Sequence, residues 1–229
     1  MRDIIGDDLP LYANLGICQV EQLLGNNRAD KISDLVKRLR ADGLIIHVNP
    51  MQEWFQGEGD VLKYPPIDTI RKVLDVFKFP IIVKEVGQGM GWSSLFELLK
   101  LPIEAIEFGA FGGTNFAKVE LLRDTTASNG LFEPFSFVGA DAYRMMEDIN
   151  DIYLKEKEVD FKCKQLIISG GIKSFLDGYY FVQKSPFLAV FGQASSFLKY
   201  AKEDYNQLQA YISQQIKGYE MAQAYLRVK

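Results

Sequence analysis

Six short apolar runs alternate along the chain with stretches whose apolar residues fall at helical spacing. That alternation restricts the fold more than any other feature of the sequence. The runs are residues 11–17, 44–48, 80–87, 103–108, 165–169 and 187–191. Between them, Ile32, Leu35, Val36 and Leu39 share one helical face, as do Ile67, Ile70, Val73, Leu74 and Phe77. The spacing predicts helices over 19–24, 29–43, 65–77, 92–100, 137–155, 175–183, 196–202 and 206–226, with Gly43 closing the second and Pro65-Pro66 opening the third. Strands that alternate with helices build a parallel sheet. The third run is apolar on both faces until its end, as a strand covered on both sides is.

Polar and glycine-rich residues crowd after the strands, which favours a (β/α) TIM barrel with its site at the C-terminal strand ends. A doubly wound open sheet is the competing architecture, but no early GxGxxG follows the first strand. The chain has 229 residues, enough for a barrel, yet only six strand-like runs where a barrel has eight. Either two strands are absent from this chain or two are hidden in less apolar segments; the expectation is a single (β/α) barrel domain over 1–229.

The balance of 26 basic and 30 acidic residues leaves a net charge of -4, which offers no basic footprint for nucleic acid. No apolar run approaches the ~20 residues that span a bilayer, so no membrane segment is expected. The first eight residues are too polar for a secretory leader, and the expected setting is cytoplasmic. Cys18 and Cys163 lack metal-binding spacing and read as reduced, partly buried thiols.

The second strand runs into His47, Asn49, Gln52 and Glu53, then a glycine-rich acidic stretch at 57–60. His47 is the chain's one histidine. One carboxylate beside phosphate oxygens is the usual way to hold Mg²⁺, and the absence of a second histidine argues against zinc. Gly112-Gly113-Thr114, Gly170-Gly171 and Gly192-Gln193-Ala194 each follow a strand and suit an anion. Tight turns would also use glycine, but the last two match the order of a barrel phosphate site. Lys84 ends an apolar strand and must reach a partner, either a ligand or a neighbouring carboxylate such as Glu85. Glu120, with Lys118 and Arg123, reads either as a solvated helix face or as a group reaching back to the site. Trp54, Phe55, Trp92, Phe111 and Phe116 could line a pocket or fill the core.

Together these segments resemble the type 2 isopentenyl diphosphate isomerases, flavin-dependent TIM barrels. Ala13-Asn14-Leu15-Gly16 with Gln19 is similar to that family's ANLG-x-x-Q segment. His47-x-Asn49-Pro50-x-Gln52-Glu53, with Glu58-Gly59-Asp60, resembles its most specific signature. Residues 83–89 resemble its flavin-contacting strand, and Gly112-Gly113-Thr114-Asn115-Phe116 with Glu120 and Arg123 its GGT-x-[W/F] segment. Ser169-Gly170-Gly171-Ile172 and Gly192-Gln193-Ala194 resemble its flavin phosphate site. The order matches over nearly the whole chain. The family's first two βα units, with a Met-Thr-Gly-Gly segment, have no counterpart here, so the resemblance implies that this chain holds strands three to eight of the eight-stranded barrel. Where the family often has Asp before the GGT loop, this chain has Glu107-Phe108-Gly109.

The resemblance implies interconversion of isopentenyl and dimethylallyl diphosphate by a reversible allylic shift, with FMN reduced by NADPH and with Mg²⁺. It implies that Asn14, Lys84 and Thr114 contact the flavin and that Gly170, Gly171, Gln193 and Ala194 hold its phosphate. By the same resemblance His47 and Asn49 bind the diphosphate, Gln52 lies against the reacting carbons as the catalytic residue, and Glu53 ligates Mg²⁺. A homo-oligomer, tetrameric or larger, is implied as well. Two other readings stand beside it: an FMN-dependent oxidoreductase of a 2-hydroxy acid, which wants a His/Arg pair late in the barrel, and a non-catalytic remnant.

Overall fold

The computed structural model describes residues 2–56, 59–123 and 129–229. Gly57, Glu58 and the polar loop at 124–128 lie outside the described residues. Six strands form one sheet: β1 (Tyr12–Gly16), β2 (Gly43–Val48), β3 (Ile81–Glu85), β4 (Ala105–Glu107), β5 (Gln165–Ile168) and β6 (Leu188–Phe191). All five pairings are parallel, and the spatial order is the chain order. An order without reversal decides between the two architectures. Right-handed crossovers taken always in one direction put every helix on the same face. A doubly wound sheet must reverse. The sheet is therefore barrel-type.

The two faces differ accordingly. On one, Leu15, Ile46, Val83, Ile106, Leu166 and Ala189 are in register, and Ile46, Val83, Ile106 and Leu166 are buried under helices. On the other, the row one residue later is Gly16, His47, Lys84, Glu107, Ile167 and Val190. That row begins polar and ends with Val190 58% exposed, and Leu188, on the same face of β6, is 71% exposed. Among the described residues β1 and β6 each pair with one strand only.

Several boundaries depart from the sequence expectation. The helix expected over 29–43 is Asp30–Leu39 and stops at Arg40, which turns left-handed at φ 51°. Gly43 begins β2 instead, because a Cβ there would come within 2.3 Å of the Pro80 carbonyl. The helix expected over 137–155 is Ala142–Lys155, with Asp141 capping it by accepting from the Arg144 N–H at 2.8 Å. A separate 3-10 turn covers Glu133–Phe137. A short helix not anticipated from spacing, Pro50–Phe55, follows β2 directly, with proline in its first turn. The C-terminal helix, Tyr205–Tyr225, packs on its own chain: Tyr219 meets Phe191 and Tyr179 edge-on or tilted, and the Tyr179 hydroxyl donates to the Leu226 carbonyl.

Candidate active site

The Pro50–Phe55 helix places Asn49, Gln52 and Glu53 on one side, at spacings of three and four residues. Asn49 is 3% exposed, and its Nδ2 donates to Glu53 Oε1 at 2.9 Å and to Gln52 Oε1 at 3.3 Å. Gln52 Nε2 donates to Glu120 Oε1 at 3.2 Å, and Gln56 Nε2 donates to the same oxygen at 3.1 Å. Arg123 holds the other oxygen at 2.8 Å. Glu120 is thus 6% exposed, and the solvated-face reading gives way to a buried carboxylate that fixes the Gln52 amide. Phe55, Ala117 and Leu121 form a small apolar cluster that joins this helix to Phe116–Arg123. Gln56 was not legible as a participant; its only sequence signal is that it continues the face of Asn49, Gln52 and Glu53.

His47 sits on β2 with Nδ1 3.0 Å from Asn14 Oδ1. In the neutral ring Nδ1 therefore carries the proton, and Nε2 presents a lone pair. Burial, then the charge of Lys84, pushes the imidazole below its ordinary range, with Glu53 opposing. Gly16 packs closely against this ring. A Cβ would meet His47 Nε2 at 3.0 Å and lie 3.8 Å from Asn49 Oδ1. That Asn49 oxygen is buried without a hydrogen-bond partner. Glu53 Oε2 accepts from the Asp60 N–H at 3.2 Å, tying the helix to the chain beyond it.

Lys84 lies between His47 and Glu107 in the register row. Its ammonium reaches the Glu85 carbonyl at 3.3 Å and forms no ion pair among the described residues. The Glu85 carboxylate, considered as its partner, points elsewhere. It accepts from the N–H groups of Gly87, Gln88 and Gly89 at 2.7, 2.5 and 2.8 Å, and burial outweighs those bonds to push its pKa up. Thr114 packs by its backbone, its carbonyl 2.4 Å from where a Gly87 Cβ would be.

Gly112 and Gly113 lie backbone-on-backbone against Gly170 and Gly171, and a Cβ on Gly113 would come 3.2 Å from Gly170 Cα. Gly170 and Gly171 have φ of 90° and 75°, which only glycine takes readily. Gly192 ties the next turn to this one by donating to the Ile168 carbonyl at 2.9 Å. Among the described residues the N–H groups of Gly170, Gly171, Gln193 and Ala194 donate to no backbone carbonyl. The structure thus brings together Asn14, His47, Asn49, Gln52, Glu53 and Glu120 at the ends of β1 and β2. It gathers the glycine turns at the ends of β4, β5 and β6. Trp54, Phe55 and Phe132 stack edge-on or tilted beside the first group. Of the other aromatics considered, Trp92 packs into the core and donates to Asp151.

Polar side chains and anion-seeking turns at the C-terminal ends of a barrel-type sheet describe a small-molecule site. No family model matches the chain. Among curated proteins, it is 34% identical over 175 residues to an isopentenyl-diphosphate delta-isomerase of Chlorobium chlorochromatii, a match covering 73% of this chain and 47% of that one. It is 29% identical over 201 residues to the isomerase of the same name from Rickettsia akari, covering 86% and 54%. With that of Rickettsia felis the figures are 30% over 206 residues, covering 88% and 54%. The chain spans about half the length of the curated relatives it matches. Among solved structures, a mutant flavocytochrome b2 with benzoylformate superposes with a TM-score of 0.62 at 13% identity, over 97% of this chain and 52% of that one. A second mutant, with sulfite bound, gives 0.58 at 14%. These structures support the fold.

Proposed function

We propose that the chain carries the diphosphate-binding and flavin-phosphate-binding part of an isopentenyl-diphosphate delta-isomerase of the flavin-dependent type. The observation that carries the reading is the buried network in which Asn49 orients Gln52 and Glu53 while Glu120 holds the Gln52 amide. The names of the relatives support it, as does the barrel-type fold.

The residues fit the groups this chemistry needs. N–H groups at Gly170, Gly171, Gln193 and Ala194 that donate to no backbone carbonyl among the described residues suit the FMN phosphate, and Lys84, with no carboxylate partner among the described residues, suits an electron-rich ring beside Asn14 and Thr114. No group of three metal-ligating side chains occurs among the described residues. Glu53 as one carboxylate therefore fits an ion that keeps its water and arrives with the diphosphate, as Mg²⁺ does. When bound, reduced FMN supplies an electron-rich ring that can give and take a proton. NADPH as reductant, a cytoplasmic setting and a homo-oligomer of four or more copies belong to the same reading.

The chain's own residues then divide the work. His47, with Nδ1–H held by Asn14, binds the diphosphate in its protonated form, in which Nε2–H donates a charge-assisted bond to a phosphate oxygen. The orphaned Asn49 Oδ1 accepts from a ligand hydroxyl or a metal-bound water. Gln52 has no titratable proton near neutrality. It positions the alkene while its own two ends are fixed by Asn49 and Glu120. The allylic shift adds one proton to the terminal alkene carbon and removes one from the CH2 carbon adjacent to the alkene, so the double bond moves one position and no net redox change occurs. The 2-hydroxy-acid alternative lacks its residues: the one histidine is on β2 and bonded to Asn14.

The test is anaerobic incubation of the protein with FMN, NADPH, Mg²⁺ and isopentenyl diphosphate, followed by NMR in deuterated water. Dimethylallyl diphosphate carrying deuterium is the expected product. Failure to bind the Mg²⁺–diphosphate in a parallel titration, together with no product, would sink the reading.

A further inference from the structure

Glu107 stands where the resembling family often has Asp, and the proposed function leaves it unused. It is the last residue of β4, on the face turned away from the helices, with Lys84 and Ile167 as its register partners. Opposite charges side by side on neighbouring strands ordinarily attract. Here no ion pair among the described residues joins Glu107 to Lys84. The Lys84 ammonium reaches the Glu85 carbonyl instead. Glu107 is drawn the other way, toward β5, by a serine.

Ser169 Oγ lies 3.0 Å from Glu107 Oε1 and 3.1 Å from the Gly109 nitrogen. A hydroxyl has one proton, an ionised carboxylate can only accept it, and a backbone N–H can only donate. The roles are therefore fixed: Ser169 donates to Glu107 and accepts from Gly109. Among the described residues the Gly109 N–H donates to no backbone carbonyl, so this hydroxyl is what satisfies it. The Gly109 carbonyl in turn accepts from the Gly87 and Gly89 N–H groups at 2.7 and 3.2 Å. Next to it, the Ala110 N–H donates to the Ser169 carbonyl at 2.9 Å. Beyond that bond the turns after β4 and β5 touch through Gly112, Gly113, Gly170 and Gly171, with no backbone hydrogen bond between them among the described residues. The Glu107–Ser169–Gly109 chain thus stands at the last point where the two turns are pinned together.

We infer that Glu107 is a positioning residue for the phosphate cradle. Through the Ser169 hydroxyl it holds the turn after β4 against the turn after β5, and so keeps the Gly170 and Gly171 N–H groups set for a phosphate monoester. It touches no ligand itself. Because Ser169 turns the carboxylate toward β5, the same contact leaves the Lys84 ammonium without a carboxylate. The inference rests on the reading of these turns as the site of the flavin phosphate.

The test compares FMN with riboflavin, which lacks only the phosphate, by fluorescence titration of the full chain. The chain should bind FMN about tenfold or more tightly than riboflavin. Glu107→Ala should weaken FMN roughly 10–100-fold and riboflavin less than about threefold, so that the preference collapses. Glu107→Gln, whose amide oxygen still accepts from Ser169, should keep FMN binding within about threefold of the parent chain. Ser169→Ala should match Glu107→Ala, and the double variant should lose no more than either alone. Circular dichroism should be the same for all four variants and the parent chain. Equal weakening of both flavins by Glu107→Ala would overturn the inference and leave the cradle standing. So would an intact FMN preference in that variant, or a Glu107→Gln variant as weak as the alanine. A parent chain that does not distinguish the two flavins would remove the cradle reading and the inference with it.

Discussion

The two ends of the sheet are built from different kinds of polar group. At β1 and β2 the site is made of side chains, and nearly every polar atom is already spoken for by a neighbour: Asn14 by His47, Gln52 by Asn49 and Glu120, Glu53 by Asn49 and Asp60. At β5 and β6 it is made of backbone: among the described residues the N–H groups of Gly170, Gly171, Gln193 and Ala194 donate to no backbone carbonyl. Side-chain networks set orientation, and the loss of one member unsettles the rest. Backbone cradles admit no Cβ within them.

The contrast can be broken first at Gly170. Alanine there would put Cβ 2.1 Å from the Ala110 carbonyl at a φ of 90°, so Gly170→Ala should lower unfolding free energy by about 2–4 kcal/mol in denaturant titration. At the other end, Glu120→Ala leaves Gln52, Gln56 and Arg123 without their shared carboxylate. It should reduce turnover roughly 10–100-fold with a smaller effect on diphosphate affinity, because Glu120 acts through Gln52. Equal losses in both would mean that it merely holds the helix. Glu53→Gln keeps the shape of the side chain but removes its charge. Mg²⁺-dependent diphosphate binding, read by calorimetry, should weaken about tenfold or more, with little change in binding to the glycine turns.

A gentler probe is pH. The folded chain holds His47 below the ordinary value of 6.5, so the unfolded chain takes up that proton first. Its contribution to stability is complete above that value and is lost as pH falls through it toward the folded pKa. Thermal unfolding between about pH 7 and pH 5 should show the loss, and His47→Gln should flatten it. The smallest effect expected concerns Cys18 and Cys163. Both are free and buried, with pKa pushed to about 11, so iodoacetamide at pH 8 should label them only as the chain unfolds.

The strands were legible because a buried parallel strand is a short apolar run, and all six runs became strands. The Pro50–Phe55 helix was not, because six residues are too few to show a period and its polar face reads as a loop. Gly43 misled for a related reason: a glycine after a helix suggests a cap, but here Arg40 makes the left-handed turn and Gly43 meets Pro80. At the site, His47, Asn49, Gln52 and Glu53 were visible as a dense polar stretch. Their partner Glu120 lies 68 residues from Gln52, and only the fold could say which of its neighbours it faces.

Glu85 gives the turn after β3 an anion of its own. Three N–H groups that would otherwise attract a phosphate already point at its carboxylate. The fold thus presents several similar turns along one rim, but one is closed by an internal ligand. On the proposed reading, the turns left open to a foreign phosphate are those ending β5 and β6. Converting Glu85 to alanine would then change addressing as well as stability, by freeing those three N–H groups as a second berth on the wrong strand.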